Sequence, residues 1–231
     1  MIVRERPDSF LLFGQHEHAL VAGEFACRWG TRPHPFEPTV YAVANHDVAW
    51  REPDREVIWN EEKERPYSFI DYPLDLKLPS QKRGIDLVEE HDPYAGCLCS
   101  MHYARFLLDA ERPEEIEFRD GEFERQDRLK ETMSGGELEN LERNFRFLRV
   151  CDGISLFLCV NEPGGEDDPP PYPGGFEFEG TSFVPVWEDG RTLGLDPNPF
   201  SEAFEIGIPY LTVGKDRRPL GSDILELRIS C

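Results

Sequence analysis

The chain has 231 residues and a formal net charge of −21, because it carries 46 acidic side chains and only 25 basic ones. A surface with this much negative charge repels phosphate backbones, which excludes a protein that coats nucleic acid. Hydrophobic residues make up 39% of the chain, which excludes a wholly disordered protein. No apolar run approaches the ~20 residues that cross a bilayer, and the opening MIVRERPDSF is charged where a signal peptide is apolar, so we expect a cytoplasmic protein without membrane contacts.

A β-hairpin and two helices are predicted in the first 51 residues. Two short apolar runs on either side of Arg6-Pro7-Asp8-Ser9 predict the hairpin over residues 1–13. Apolar residues at helical spacing predict a helix over 15–29, with Gly30 at the position where a helix stops. The same spacing predicts a second helix over 38–51.

Three further helices are predicted before residue 161. Asp92-Pro93 is typical of an N-cap followed by proline at the first helical position, so we expect a helix from there to about residue 109. A charged helix that begins near Phe123 is broken at Ser134-Gly135-Gly136. A long amphipathic helix follows over 137–160, and most of this part of the chain is therefore predicted to be helical.

The composition changes at Asn161. Residues 161–175 are proline, glycine and acid, which predicts a loop without regular structure. Short apolar runs over 176–231 alternate with turn residues and predict strands. We therefore expect an α+β fold in which a mainly helical domain over 1–160 carries a small antiparallel sheet from the C-terminal region, and the N-terminal hairpin can add strands to that sheet.

Polar side chains fall on the apolar face of the second helix. On a wheel at ~100° per residue, His46 and Asp47 lie on either side of the line that joins Val43 to Trp50. Desolvating a carboxylate without a partner costs several kcal/mol, so Asp47 needs a cation, a network of donors or a metal ion.

Other helices also direct chemically active side chains inward. Asp152 interrupts the apolar stripe of the last helix, and His102 lies on the apolar stripe of its own helix. His16 and His18 flank the apolar side of the first helix symmetrically, so the wheel does not choose between them. His91 precedes the predicted N-cap and is expected at the surface. Two inward aspartates and several inward histidines indicate a shared partner.

Four cations are candidates for contact with a small anionic substrate. They are Arg51, Lys82, Arg83 and Arg105, which combine fixed charge with several hydrogen-bond donors. Alternatively, each of them is an ordinary surface cation that offsets the acidic excess of the chain.

The six cysteines form no recognisable disulfide or metal framework. No pair has CxxC spacing, and most of them lie inside apolar stretches. We therefore expect buried free thiols in a reducing compartment rather than a disulfide scaffold or a zinc ribbon.

The order His18, His46-Asp47 and Asp152, all on predicted helices, resembles the H…HD…D signature of the HD superfamily of metal-dependent phosphohydrolases. The resemblance implies an HD-like helical bundle in which these four residues bind a divalent metal. His102 is similar to the additional histidines of members with two metals. Imidazole and carboxylate ligands suit iron, manganese, cobalt or zinc, as one ion or two.

Nearly the whole chain also resembles an uncharacterised bacterial and archaeal family catalogued as domain of unknown function 3891. The stretches that carry this resemblance are QHEHALVAG, ANHDVAW, RPYSFIDYP, RRPLGSD and DPYAGCLCSMHYAR. This second resemblance implies no activity.

These observations give three functional hypotheses. The first is a metal-dependent hydrolase of a phosphorylated small molecule or nucleotide, in which Asp47 orients the metal and His102 or a neighbouring carboxylate handles the proton. The second is a di-iron oxygenase, which a two-iron site that retains His102 would favour. The third is a non-catalytic binding or regulatory protein, which burial of the site behind the C-terminal sheet would favour. In that reading His46 is a core histidine and Asp152 pairs with Arg149. The oligomeric state is left open.

Overall fold

The computed structural model describes residues 1–165 and 171–231, and these two ranges contain six α-helices and nine β-strands. The helices are α1 (Gln15–Arg28), α2 (Phe36–Asn45), α3 (Leu74–His91), α4 (Pro93–Ala104), α5 (Pro113–Lys130) and α6 (Gly135–Val160). The strands are β1 (Ile2–Glu5), β2 (Ser9–Phe13), β3 (Trp59–Asn60), β4 (Arg65–Pro66), β5 (Phe176–Phe178), β6 (Thr181–Trp187), β7 (Thr192–Asp196), β8 (Phe204–Gly214) and β9 (Pro219–Ile229).

Seven strands form one curled, mixed sheet in the order β1-β2-β8-β9-β7-β6-β5. The hairpin of β1 and β2 joins the C-terminal strands through antiparallel pairing of β2 with β8, in which Phe13 lies opposite Tyr210. β7 pairs with β9 in parallel, and the other neighbours are antiparallel. β3 and β4 form a separate two-stranded sheet.

The predicted fold class is wrong. About 47% of the chain is helical and 23% is strand, and the sheet is large and mixed, so the protein is not a mainly helical HD-like bundle with a small antiparallel sheet. The sheet is larger than expected for two reasons. β8 and β9 are eleven residues long each, and strands from both ends of the chain contribute to one sheet.

Several predicted elements are confirmed, with shifted ends. The hairpin, α1 and α6 lie where they were predicted. The side chain of Asp92 caps α4 by accepting a hydrogen bond from the Ala95 N–H (2.9 Å). α5 begins at Pro113, ten residues earlier than expected, and α3 was not predicted. α3 contains Pro79, a residue type that usually ends helices.

The predicted second helix ends six residues early. α2 stops at Asn45, and residues 48–50 form a short 3₁₀ turn. The imidazole of His46 contributes to this stop, because its Nδ1–H takes the Val43 carbonyl oxygen (2.7 Å) as its acceptor. His46 and Asp47 therefore lie at the junction after α2 rather than within a helix.

The sheet and the helices share one hydrophobic core, in which α1 contacts β8 and α6 contacts β1 and β5. The buried guanidinium of Arg4 donates to the carbonyl oxygens of Leu158 (2.7 Å) and Cys159 (2.9 Å) near the end of α6. Since the last carbonyls of a helix lack partners within the helix, Arg4 ties the sheet to α6. This contact fixes the helix that carries Asp152.

The remaining sequence predictions have simple outcomes. All six cysteines are free thiols, and four of them are buried. No helix in the described ranges has an apolar stretch long enough to cross a bilayer. Part of the predicted loop over 161–175, namely residues 166–170, lies outside the described residues.

Candidate metal centre

The five predicted metal ligands lie together between the helices. They form what we call the His/Asp cluster, which consists of His18, His46, Asp47, His102 and Asp152. Each of these residues is at most 4% exposed. The cluster contains two triads, His18-His46-Asp47 and His46-His102-Asp152, which share His46. Within each triad, the potential ligand atoms lie within 4.8 Å of one another.

Close approach of α1 and α2 places His18 beside the residues that follow α2. Gly23 of α1 lies against Ala44 of α2, and a Cβ atom at Gly23 would lie only 2.6 Å from the Ala44 Cβ. The two helices can pack at this distance because position 23 carries no side chain. The Nε2 atom of His18 consequently lies 3.1 Å from Oδ2 of Asp47.

The ring of His18 lies between Ser155 on α6 and Asp47. Its Nδ1 is 3.1 Å from the Ser155 hydroxyl oxygen, and that hydroxyl lies 2.8 Å from the carbonyl oxygen of Asp152. A hydroxyl that donates to this carbonyl favours the Nδ1–H tautomer of His18, which leaves a lone pair on Nε2, 3.1 Å from Oδ2 of Asp47. In the other tautomer, Nε2–H donates to the same oxygen.

The ring of His46 is also oriented by a hydrogen bond at Nδ1. Its Nδ1–H donates to the Val43 carbonyl, which directs Nε2 at Oδ1 of Asp152 (3.4 Å) and Oδ2 of Asp47 (3.8 Å). This Nε2 is buried and forms no hydrogen bond with any described residue. A histidine that donates one ring N–H to a backbone carbonyl and turns its other nitrogen to a carboxylate cluster is typical of a metal ligand.

One oxygen of each carboxylate is held by a neighbouring side chain. The Tyr103 hydroxyl donates to Oδ1 of Asp47 (2.8 Å), and Nη2 of Arg105 donates to Oδ2 of Asp152 (3.3 Å). The other oxygen of each carboxylate faces the imidazoles. Each triad thus combines two imidazole nitrogens with one carboxylate oxygen, a mixed nitrogen and oxygen donor set that fits a divalent transition metal.

Burial and mutual charge shift the pKa values within the cluster. Burial lowers the pKa of His18 to about 3 and that of His102 well below its usual range, so both rings are neutral at pH 7. Burial raises the pKa of Asp47 to about 6. For His46, burial disfavours the charged ring, but Asp47 and Asp152 outweigh burial and raise its pKa to about 9.

The pKa of Asp152, the fifth residue of the cluster, is also shifted by its neighbours. Burial would raise the pKa of Asp152, but the nearby histidines, His46 foremost, hold it well below its usual range. The two carboxylates therefore stabilise a positive charge between them, and in the protein alone a proton on His46 provides it. A divalent cation bound within either triad satisfies the donors of that triad better than one proton.

The other residues considered from the sequence lie at different distances from the cluster. His16 is half-buried on α1, where burial lowers its pKa, Glu17 raises it, and the charges of Arg51 and His46 lower it further. Lys82 and Arg83 are exposed on α3. Among the described residues, Arg105 is the one predicted substrate-binding cation that contacts the cluster.

Sequence analysis missed two residues beside the cluster. Ser155 follows Asp152 by three positions and so faces the same side of α6, a signal that was available in the helical spacing. Tyr172 lies within the predicted loop and carried no signal. Burial and the charge of nearby Asp152 raise the pKa of Tyr172 to about 12.

Comparisons with known proteins identify the family of the chain. Residues 1–215 match the family model described as protein of unknown function (DUF3891), so the chain belongs to this family. No curated protein and no solved structure matches the chain significantly. The matched range contains every residue of the His/Asp cluster, and the description of the family assigns no activity.

Proposed function

We propose that this member of the DUF3891 family is a divalent-metal-dependent hydrolase that acts on a phosphorylated small molecule or nucleotide. The buried Nε2 of His46 carries the proposal, because it has no hydrogen-bond partner among the described residues and lies 3.4 Å from Oδ1 of Asp152 and 3.8 Å from Oδ2 of Asp47. Nε2 of His18 lies 3.1 Å from the same oxygen of Asp47. A cation bound between these nitrogen and oxygen atoms would be coordinated by them.

The ligands in this proposal are His18, His46, Asp47 and Asp152, with His102 beside them. Their order along the chain resembles the H…HD…D signature of the HD superfamily of metal-dependent phosphohydrolases. When bound, a divalent ion of iron, manganese, cobalt or zinc supplies acidity to water near neutral pH and polarises a phosphoryl oxygen.

Side chains of the protein provide orientation and proton transfer. Tyr103 fixes Oδ1 of Asp47 and so leaves Oδ2 to face the histidines. His102 is neutral, and its Nδ1 is buried without a hydrogen-bond partner among the described residues. A neutral, unpartnered imidazole beside the ligands can accept the proton that water loses during hydrolysis.

Arg105 provides the contact with the anionic substrate. Its guanidinium reaches Oδ2 of Asp152, while a fifth of its side chain is exposed to solvent. The group therefore connects the buried cluster with the protein surface. A planar guanidinium can donate two parallel hydrogen bonds to a phosphoryl group, so Arg105 suits a phosphorylated substrate.

Specific observations favour two other functions. The deep burial of the cluster favours a non-catalytic protein in which the ion stabilises a binding or regulatory module. The presence of His102 in the cluster favours a di-iron oxygenase, because its imidazole is a fifth potential ligand and can complete a second iron site.

Hydrolysis assays test the proposal. We expect untagged protein loaded with manganese, cobalt or zinc to hydrolyse bis(p-nitrophenyl) phosphate or a nucleoside phosphate. We expect His46→Ala and Asp152→Ala to abolish this activity, and Arg105→Ala to raise KM. His91→Ala is the matched control, because His91 lies outside the cluster and stacks on Tyr41 at the surface.

The same assays separate the rival functions. Tight metal binding without hydrolysis of any phosphoester in the set would contradict the hydrolase and support the non-catalytic module. Two equivalents of iron together with oxygen consumption would support the oxygenase.

A further inference from the structure

The edge of β9 is open over most of its length. β9 pairs with β8 along almost all of its residues, but with β7 through Thr192↔Arg228 and Leu193↔Ile229 alone. Among the described residues, no strand pairs with the other side of residues 219–227. A row of unpaired backbone donors and acceptors of this kind is a template for another strand.

Backbone hydrogen bonds show which residues face the open edge. The N–H groups of Arg228 and Ser230 donate towards β7, to the carbonyl oxygens of Arg191 and Leu193 (2.9 Å each). Because the direction alternates along a strand, the backbone groups of Ser222, Ile224 and Glu226 face the same side, up to the register shift at Leu220. The N–H of Ile224 is one of them, and its acceptor is the side chain of the adjacent Asp223 (2.8 Å) rather than a strand.

The side chains along this stretch are apolar as well as charged. Leu220 is 62% exposed and Ile224 is 54% exposed. Leu220 has no partner in β8, because the register of the two strands shifts there. Arg218 precedes the strand and Glu226 lies within it, and both are exposed.

We propose that a second copy of this chain pairs with the open edge of β9 in antiparallel orientation, about a two-fold axis at Ser222. In this register, Leu220 of each copy lies opposite Ile224 of the other. Arg218 likewise lies opposite Glu226. Each contact occurs twice, because a two-fold interface is self-complementary.

The charge pattern of the hairpin favours a second copy as the occupant. The turn before β9 carries Lys215, Arg217 and Arg218, of which Lys215 and Arg217 pair with Glu5 and Glu61 of the same chain. Arg218 is 83% exposed beside Asp216, whereas the strand is acidic at Asp223 and Glu226. Antiparallel self-pairing brings Arg218 of each copy next to the acidic stretch of the other. The net charge of −21 per chain opposes the association at long range, so salt strengthens it by screening this repulsion.

Analytical ultracentrifugation over a range of protein and salt concentrations tests the proposal. We expect a reversible monomer–dimer equilibrium that moves towards dimer as salt rises. Ile224→Lys weakens the dimer by ~10-fold or more, because the change occurs twice in the interface. Ser222→Pro removes an edge N–H without removing a bond to β8, and it also weakens the dimer.

Control variants keep the test independent of folding and of the metal centre. Leu87→Lys replaces a similarly exposed apolar residue on α3 and leaves the dimer intact. Arg218→Glu and Glu226→Arg each weaken the dimer, and the double variant restores it. A wild-type chain that stays monomeric at every concentration overturns the proposal, as does equal weakening by Leu87→Lys. Failure of the double variant to restore pairing overturns the register.

Discussion

The segment around Asp71 and the His/Asp cluster both contain carboxylates with little exposure to solvent, namely 14% for the Asp71 side chain and 6% for those of Asp47 and Asp152. Oδ1 of Asp71 accepts hydrogen bonds from the N–H and hydroxyl of Ser68, and Oδ2 accepts from Arg65 and Lys63, at 2.7 to 3.0 Å. In the cluster, Oδ2 of Asp47 and Oδ1 of Asp152 face imidazole nitrogens instead. A carboxylate surrounded by donors stabilises the fold by itself, whereas carboxylates that converge with imidazole nitrogens form a set of ligands for a cation.

The largest expected effect is stabilisation of the cluster by a cation. Saturating manganese or cobalt, added to chelator-treated protein at 100 to 1,000 times the dissociation constant, should raise Tm by about 5–15 °C. Thermal unfolding followed by circular dichroism measures the shift. Asp71→Asn should keep the shift and His46→Ala should lose it. An equal shift in His46→Ala would show that the metal binds elsewhere.

Removing the charge of Asp71 should destabilise the protein with or without metal. Asp71→Asn replaces an acceptor that is surrounded by donors, so we expect a loss of about 1–3 kcal/mol in the free energy of unfolding. Urea denaturation in the presence of a chelator measures the loss. If Asp71→Asn were as stable as the wild type, the hydrogen bonds to Asp71 would not stabilise the fold, and Asp71 would not differ from the carboxylates of the cluster.

The contribution of Asp71 should also depend on pH. Burial would raise its pKa, but the hydrogen bonds and the charges of Lys63 and Arg65 outweigh burial and lower the pKa from 3.8 to about 2. Because the folded-state pKa is depressed, the stabilisation is present above pH 4 and is lost as the pH falls towards 2. The difference between wild type and Asp71→Asn should therefore shrink over this range in acid titrations of stability.

Tyr103→Phe should weaken metal binding with little effect on folding. The substitution removes the hydroxyl that orients Asp47, and loss of such a partner typically costs 10- to 100-fold in metal affinity. Isothermal titration calorimetry measures the affinity. Tyr67→Phe is the matched control, since Tyr67 has no hydrogen bond to the cluster. Equal affinities of Tyr103→Phe and wild type would exclude a role for Tyr103 in orienting the carboxylate.

The smallest expected effect has the opposite sign to that of Asp71→Asn. In Asp47→Asn, the amide can donate to the lone pair that the Nδ1–H tautomer leaves on Nε2 of His18 and still accept from Tyr103, so it removes a buried charge and leaves both neighbours paired. In chelator we expect stability to be unchanged or higher by up to about 1 kcal/mol, while metal binding is lost. Destabilisation as large as that of Asp71→Asn would contradict our description of the cluster.

Much of the candidate site could be predicted from the sequence. Helical spacing alone predicted that Asp152 and His102 face inward, and the resemblance to the H…HD…D signature gave His18 rather than His16. His46 and Asp47 were placed in the site although their helix ends at Asn45. Their role as metal ligands stays a prediction. Ser155 was missed because a serine on an apolar helix face is unremarkable until its partner is known.

The architecture could be predicted only in part, because strand pairing is not local. Alternating apolar residues reveal strands such as β2 and β8, but not that Phe13 pairs with Tyr210 almost two hundred residues later. The size of the sheet was therefore underestimated. The helix α3 was missed in a charged segment that contains Pro79.

The metal content of the protein tests the central claim most directly. Elemental analysis of untagged wild-type protein, purified without added metal, should find about one or two equivalents of iron, manganese, cobalt or zinc. His46→Ala and Asp152→Ala should lose this metal, and His91→Ala should keep it. Wild-type protein that holds no metal, and whose Tm does not change when metal is added, would contradict the account.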